Sequence, residues 1–106
     1  MDAKTWFTDK LPKILEKHPE RGKEIDANFL FKIEGDNGGT WLVDLKADPP
    51  AVVEGEGEAD CTIEMEGSDF EEMTEDFQVA MQMYFQGKLK VSGDPMLATK
   101  LQGLFA

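Results

Sequence analysis

Apolar and polar residues alternate in several short segments of this chain, and that pattern restricts its fold more than any other feature. Successive side chains of a β-strand point to opposite faces, so alternation predicts strands with one buried face and one exposed face. The pattern is clearest in residues 28–34, 40–46 and 60–66, and it recurs in 51–53 and 88–92. We therefore predict five strands that share one apolar face.

The first 17 residues have the spacing of a helix instead. Their large apolar residues recur at helical intervals and would form one buried stripe: Trp6, Phe7, Leu11, Ile14 and Leu15. Pro12 interrupts this pattern, and proline lacks the backbone N–H that a helix interior requires. We expect a kink at this position or two short helices in sequence.

Helical patterns return after residue 66. Ser68 and Glu71 have the spacing of a capping box, which predicts that a helix begins at Ser68. We expect a break near Asp76 and a second helix over 79–85, whose apolar residues point in nearly every direction and predict burial on most sides. Asp-Pro at 94–95 predicts the start of a last helix.

The charge of the chain is strongly acidic. There are 22 Asp and Glu against 11 Lys and Arg, and residues 48–76 include no basic residue. Such a surface repels nucleic acid and an anionic bilayer, so no nucleic-acid partner and at most transient membrane contact are expected. The acidic run itself is typical of a solvated face.

Length suggests a single small domain, and cysteine content suggests where it is located. The 106 residues suit one domain over 1–106, and no apolar run reaches the roughly 18 residues that a membrane span requires. Cys61 is the only cysteine, which excludes an intramolecular disulfide and favours a cytoplasmic location.

Few side chains are candidates for catalysis or metal binding. His18, the sole histidine, precedes a proline in a polar segment, and Cys61 occupies an inward strand position where a thiol acts as a small hydrophobe. The chain lacks a nucleophile elbow, a phosphate loop and a His or Cys metal set, and residues 54–60 lack the spacing of a calcium loop. We expect no catalysis, no cofactor and no metal.

Four segments resemble the sterol carrier protein type 2 family. Residues 85–94 read Phe-Gln-Gly-Lys-Leu-Lys-Val-Ser-Gly-Asp and, with Leu97-Ala98 and Lys100-Leu101, resemble the family's C-terminal signature. Residues 41–46, 59–63 and 69–70 resemble its second and fourth strands and the helix that follows. The resemblance implies an α+β fold in which helices cover one face of a five-stranded, mainly antiparallel sheet. It also implies an apolar tunnel that accepts fatty acids, fatty acyl-CoA, sterols or phospholipids.

Two positions depart from the family pattern. Many members have Gly-Lys where Asp76-Phe77 stands, so the tunnel mouth is expected to differ here. The peroxisomal members end in a Ser-Lys-Leu-like tripeptide, whereas residues 104–106 read Leu-Phe-Ala, so that signal is not expected.

The inward-facing apolar residues and a glutamine stripe are the candidate ligand contacts. The glutamine stripe consists of Gln78, Gln82 and Gln86, which are four residues apart. Methionine adapts to ligands of varied shape, and glutamine can bond a hydroxyl or carbonyl without the cost of burying a charge. The expected lining residues are Trp41, Ile63, Met65, Phe77, Met81, Gln82, Met83, Phe85, Gln86, Met96, Leu97, Leu101, Leu104 and Phe105. The alternatives are a dense core for the apolar residues and a solvent edge for the glutamines.

The predicted function is non-catalytic binding and carriage of a lipid. One alternative is an accessory domain that presents lipid to a lipid-metabolising enzyme, and another is an interaction domain whose groove packs against a partner helix. We expect the last helix to gate the tunnel, because it ends the sequence and contains Gly103, which weakens a helix.

Overall fold

Five strands form one mixed sheet in the computed structural model, which describes residues 1–35 and 38–105. The strands are β1 Asn28–Glu34, β2 Gly39–Asp44, β3 Ala51–Glu54, β4 Cys61–Glu66 and β5 Leu89–Gly93. Their order across the sheet is β3-β2-β1-β4-β5, with β1 and β4 parallel and the other neighbouring pairs antiparallel. The predicted α+β class and the mainly antiparallel sheet are confirmed. The sequence also predicts a turn at 35–39 between β1 and β2; this turn and the tripeptide at 104–106 lie partly outside the described residues.

The register aligns the inward side chains in rows across the sheet. Phe31 of β1 lies opposite Trp41 of β2 on one side and opposite Ile63 of β4 on the other. Ile63 in turn lies opposite Val91 of β5. This row therefore extends from large aromatic rings under β1 and β2 to smaller aliphatic side chains under β4 and β5, and the difference in volume determines where space remains.

The N-terminal helical segment contains a π-helical turn. Helix α1 Ala3–Thr5 leads into the π turn Trp6–Lys10, and α2 Leu11–Lys17 follows directly. The wider turn joins the two short α-helices ahead of Pro12, which stands in the first turn of α2, where proline is tolerated. Helix α3 Pro19–Ile25 was not predicted, because only Gly22 and Ile25 of that segment are buried and no apolar stripe marks it.

Four further helices complete the fold: α4 Gly67–Glu75, α5 Val79–Phe85, α6 Pro95–Lys100 and α7 Gln102–Phe105. The predicted capping box is wrong, because β4 runs straight into α4 and Ser68 lies inside the helix, whose N-cap Glu66 makes no side-chain cap bond. The N-cap predicted at Asp94 is confirmed, since its Oδ1 accepts from the Met96 N–H at 3.0 Å.

The prediction that α5 is buried on most sides is wrong. Ala80 and Met83 are its only buried residues, whereas Met81 is 60% exposed and Phe85 is 78% exposed. The apolar residues of α5 therefore face two environments. One side packs against the protein, and the other borders open space between α5 and α6.

Stacked aromatic rings fill the interior beneath β1 and β2. Phe7 lies between Trp41 and Phe70, with ring centroids 4.8 and 5.4 Å away. Trp6 stacks on Phe105 of α7 at 4.6 Å. The dense core that was the alternative interpretation of the apolar residues therefore occupies this half of the molecule.

Candidate functional site

A cavity of about 320 Å³ lies on the other side of the interior, where β4, β5, α4, α5 and α6 surround it. The small side chains of Ala80 and Ala98 line it from α5 and α6, and Leu89 and Val91 line it from the edge strand. The complete lining is Ile63, Met73, Phe77, Ala80, Met81, Tyr84, Leu89, Val91, Pro95, Met96, Ala98, Thr99 and Leu101.

Among the described residues, those that line the cavity include no charged side chain. Tyr84 and Thr99 supply its only side-chain oxygens, and the Thr99 hydroxyl donates to the Met96 carbonyl oxygen at 2.7 Å. An apolar chain could enter such a space without separating a buried polar group from its partner, which would otherwise cost free energy. The chemistry of the lining therefore suits a hydrocarbon.

Exposed apolar side chains form the rim of the cavity, and buried ones form its floor. Met81, Tyr84 and Met96 line the cavity and yet are 60, 47 and 72% exposed, so they mark the mouth. Ile63 and Leu101 are each 2% exposed and lie at the bottom. Large exposed apolar groups gathered at one place are typical of a binding site.

Phe77 forms the inner wall of the cavity. Its ring stacks on Phe105 at 5.3 Å, and Phe105 stacks in turn on Trp6. Phe77 thus stands where the cavity meets the aromatic core under β1 and β2. The departure from the family pattern at Asp76-Phe77 thus supplies part of the wall, with Phe77 turned inward and Asp76 exposed.

Five of the residues proposed from the sequence line this cavity: Ile63, Phe77, Met81, Met96 and Leu101. Of the others, Trp41, Met65, Met83 and Leu104 are buried in the core, Leu97 and Phe105 are half-buried, and Gln82, Phe85 and Gln86 are exposed. A contact between any of them and a ligand remains a prediction.

Sequence reasoning missed eight lining residues: Met73, Ala80, Tyr84, Leu89, Val91, Pro95, Ala98 and Thr99. The inward alternation of Leu89 and Val91 was a usable signal for two of them. The alanines gave none, because hydrophobic patterns are dominated by large side chains, whereas a cavity forms where side chains are small.

The two candidate catalytic side chains lie away from the cavity lining. Cys61 is fully buried in β4, and burial, assisted by the neighbouring Asp94 and Asp60 carboxylates, raises the pKa of its thiol to about 11. A thiol with that pKa is protonated at neutral pH and is a poor nucleophile. His18 is exposed, with Nδ1 3.3 Å from Glu20 Oε1.

Among residues 1–35 and 38–105, no three His, Cys, Asp or Glu side chains are grouped to hold a metal ion. Within the same described residues, no helix combines the length and the apolar character needed to cross a membrane.

The sequence is similar to a known family and to curated relatives within it. Residues 9–106 match the model of the SCP-2 sterol transfer family. Sterol carrier protein 2 of Homo sapiens is 39% identical over 102 residues, which cover 92% of this chain and 19% of that protein. Hydroxysteroid dehydrogenase-like protein 2 of Homo sapiens is 37% identical over 84 residues, 77% of this chain and 20% of that protein. The chain thus spans about a fifth of the length of these relatives.

Solved structures share the fold. Apo sterol carrier protein 2 from Yarrowia lipolytica superposes with a TM-score of 0.76 at 27% identity, covering 93% of this chain and 83% of that one. Sterol carrier protein 2 from Aedes aegypti, solved in complex with palmitate, gives a TM-score of 0.64 at 24% identity, covering 92% and 94%.

Proposed function

This chain belongs to the SCP-2 sterol transfer family, and we propose on that basis that it binds one lipid molecule in the cavity between α5 and α6 and carries it unchanged. The observation that supports this most directly is an uncharged cavity of about 320 Å³ with an exposed apolar rim. The ligand is a fatty acid, a fatty acyl-CoA, a sterol or a phospholipid. We further propose that residues 1–106 form one lipid-binding domain that acts in the cytoplasm, where the Cys61 thiol stays reduced.

Burial of a lipid chain supplies enough free energy for this role. At about 0.8 kcal/mol per methylene, a chain of roughly 16 carbons contributes about 13 kcal/mol when fully buried, and association costs at least about 4 kcal/mol. If the open mouth leaves part of the chain in water, the net binding free energy is smaller than this difference. We therefore expect micromolar or tighter binding. The hydrophobic effect has no direction, so the lining alone gives little selectivity among hydrocarbon chains.

Adding a long-chain lipid is expected to raise the melting temperature. A ligand that binds only the folded state at about 100 times its Kd stabilises it by about 2.7 kcal/mol, which corresponds to a shift on the order of 10 °C for a domain of this size. The measurement is a thermal melt with palmitate, palmitoyl-CoA, cholesterol or a phospholipid. Hexanoate is the control, because its short chain buries too few methylenes. If none of the four long-chain or sterol ligands shifts the melt, lipid carriage is excluded.

The single last helix that the sequence predicted as the gate is divided into α6 and α7, and we propose that the entrance lies at its first part, between α5 and α6. Helix α6 contains no buried residue. In α7, by contrast, Leu104 is 2% exposed and Phe105 stacks on Trp6 and Phe77. Local opening requires least free energy where few apolar contacts are lost, which favours movement of α6.

Lipid loading is therefore expected to protect α5 and α6 more than α7 from hydrogen exchange. The ligand would supply the apolar contacts that α6 lacks in the free protein, so the amides of α6 gain the most protection. Exchange is measured on free and palmitate-loaded protein, with β1 as the internal reference for global stability. A gain confined to α7 would instead support entry beneath α7.

A second candidate function is supply of lipid to an enzyme. Hydroxysteroid dehydrogenase-like protein 2 contains a segment similar to this chain within a much longer protein. The exposed Phe85 beside the mouth offers a contact for such an enzyme or for brief contact with a membrane. If this function holds, Phe85→Ser slows lipid delivery to a partner enzyme or to vesicles without changing the Kd for the lipid. Equal delivery by both proteins contradicts it.

A further inference from the structure

The polar atoms around the cavity are few enough to consider one by one. Of the thirteen lining residues, only Tyr84 and Thr99 have a polar atom in the side chain. A lipid's polar end placed on the apolar floor would lose its hydrogen bonds to water and gain none, which is costly. The polar end must therefore lie near one of these two hydroxyls or in open solvent.

The Thr99 hydroxyl is already engaged. A threonine hydroxyl has a single donor, and that of Thr99 donates to the Met96 carbonyl oxygen at 2.7 Å within α6. Among the side-chain hydrogen bonds of residues 1–35 and 38–105, none involves Tyr84. In this part of the chain, Tyr84 is thus the lining residue with a donor available to a ligand.

Tyr84 is also placed where the polar end of a lipid would lie. Its side chain contributes to the cavity wall and is 47% exposed, as is typical of a tyrosine that has an apolar ring against a surface and a polar tip in water. Met81 lies three residues earlier on the same side of α5 and is 60% exposed. Tyr84 therefore stands at the mouth, while Ile63 and Leu101 form the floor.

Other polar side chains near the mouth are less well placed. Gln82 lies in α5, and Gln78 and Gln86 flank its two ends; all three are exposed and outside the cavity lining. Lys100 follows Thr99 in α6, but it is exposed and does not line the cavity either. None of these four side chains forms part of the cavity wall, whereas Tyr84 does.

We propose that the Tyr84 hydroxyl donates a hydrogen bond to the polar end of the bound lipid, so that the hydrocarbon tail lies inside the cavity and the polar end lies at the mouth. The proposal rests on the proposed function and makes it more specific. Its ligand class is a single-chain lipid whose polar end accepts hydrogen bonds, either a carboxylate or an ester carbonyl. A volume of about 320 Å³ is near the lower end of the range for ligand pockets, about 300 to 1,000 Å³, which suits one slender chain.

The test is a cycle of two proteins and three ligands. Wild type and Tyr84→Phe, which keeps the ring and removes the hydroxyl, are titrated with dodecanoate, methyl dodecanoate and dodecane delivered from cyclodextrin, by displacement of a fluorescent probe. Hydrogen bonds to charged groups contribute more than those to neutral ones, so we expect the variant to lose about tenfold in affinity for dodecanoate and about threefold for the ester. Affinity for dodecane should stay within about twofold. A thermal melt verifies that the variant is folded.

Two results would overturn the role of Tyr84. One is unchanged affinity of the variant for dodecanoate, and the other is an equal loss for all three ligands, which would assign Tyr84 to ring packing alone. Gln82→Leu serves as the rival variant, and a loss there instead of at Tyr84→Phe transfers the role to the glutamine stripe. If wild type itself binds none of the three ligands, the proposed function fails instead.

Discussion

Ala98→Trp is expected to remove lipid binding while the protein stays folded. Ala98 lines the cavity from α6, and an indole in its place would occupy volume that the lipid needs. Filling empty space does not overpack a core, and α6 has no buried side chain that must be displaced. We expect affinity for palmitate to fall by about a hundredfold or more, measured by probe displacement, with a melting temperature at or above that of wild type.

Ala59→Trp provides the matched control for this experiment. Ala59 is half-buried in the loop before β4 and lies outside the cavity lining. The same substitution there should leave palmitate affinity within about twofold of wild type. If Ala98→Trp folds and binds palmitate normally, the ligand occupies another place. If it unfolds, Ala98 belongs to a tightly packed core and the cavity does not accept large groups.

The strands could be predicted because their signal is local. Alternation within 28–34 or 60–66 depends only on neighbouring residues and on which face is buried, and β1 and β4 occupy those segments. The parallel pairing of β1 with β4 has no such signal, since the two strands are joined through β2 and β3. The row that aligns Phe31, Ile63 and Val91 is set by this pairing, and so is the position of the cavity.

Helix α5 shows why the site was harder to predict than the fold. A helix with apolar residues on most sides is ordinarily buried by protein. Here Met81, Tyr84 and Phe85 remain exposed, and the first two line the cavity mouth. The pattern of a helix that contacts a ligand and the pattern of a helix that contacts protein are the same in sequence. The difference is that α6 leaves one side of α5 uncovered, which depends on the length and position of α6 and not on the sequence of α5.

Stacking between distant segments was the other feature beyond sequence reasoning. Trp6, Phe77 and Phe105 each belong to a different helical or loop segment, and their periodicity within those segments indicates only that they turn inward. Contact among them depends on the arrangement of the helices on the sheet. Because this contact holds α7, the proposed entrance lies at α6, the first part of the segment that the sequence predicted as the gate.

Phe105→Ala is expected to destabilise the protein strongly. The ring of Phe105 stacks on Trp6 at 4.6 Å and on Phe77 at 5.3 Å, and it meets Phe70 edge-on at 6.1 Å. Truncation of a buried phenylalanine to alanine costs about 3 to 5 kcal/mol, and Phe105 is half-buried, so we expect about 3 kcal/mol. For a domain of this size that lowers the melting temperature by 10 °C or more.

Phe85→Ala tests whether this effect belongs to the position or to the residue type. Phe85 is 78% exposed, so the same truncation there should change stability by about 0.5 kcal/mol or less. Urea denaturation of the two variants, with equal slopes, gives the comparison. The difference between the two variants in lost unfolding free energy tests where the cavity opens. If Phe105→Ala costs no more than Phe85→Ala, α7 is held too weakly to remain in place when lipid enters, and α7 becomes the better candidate for the gate.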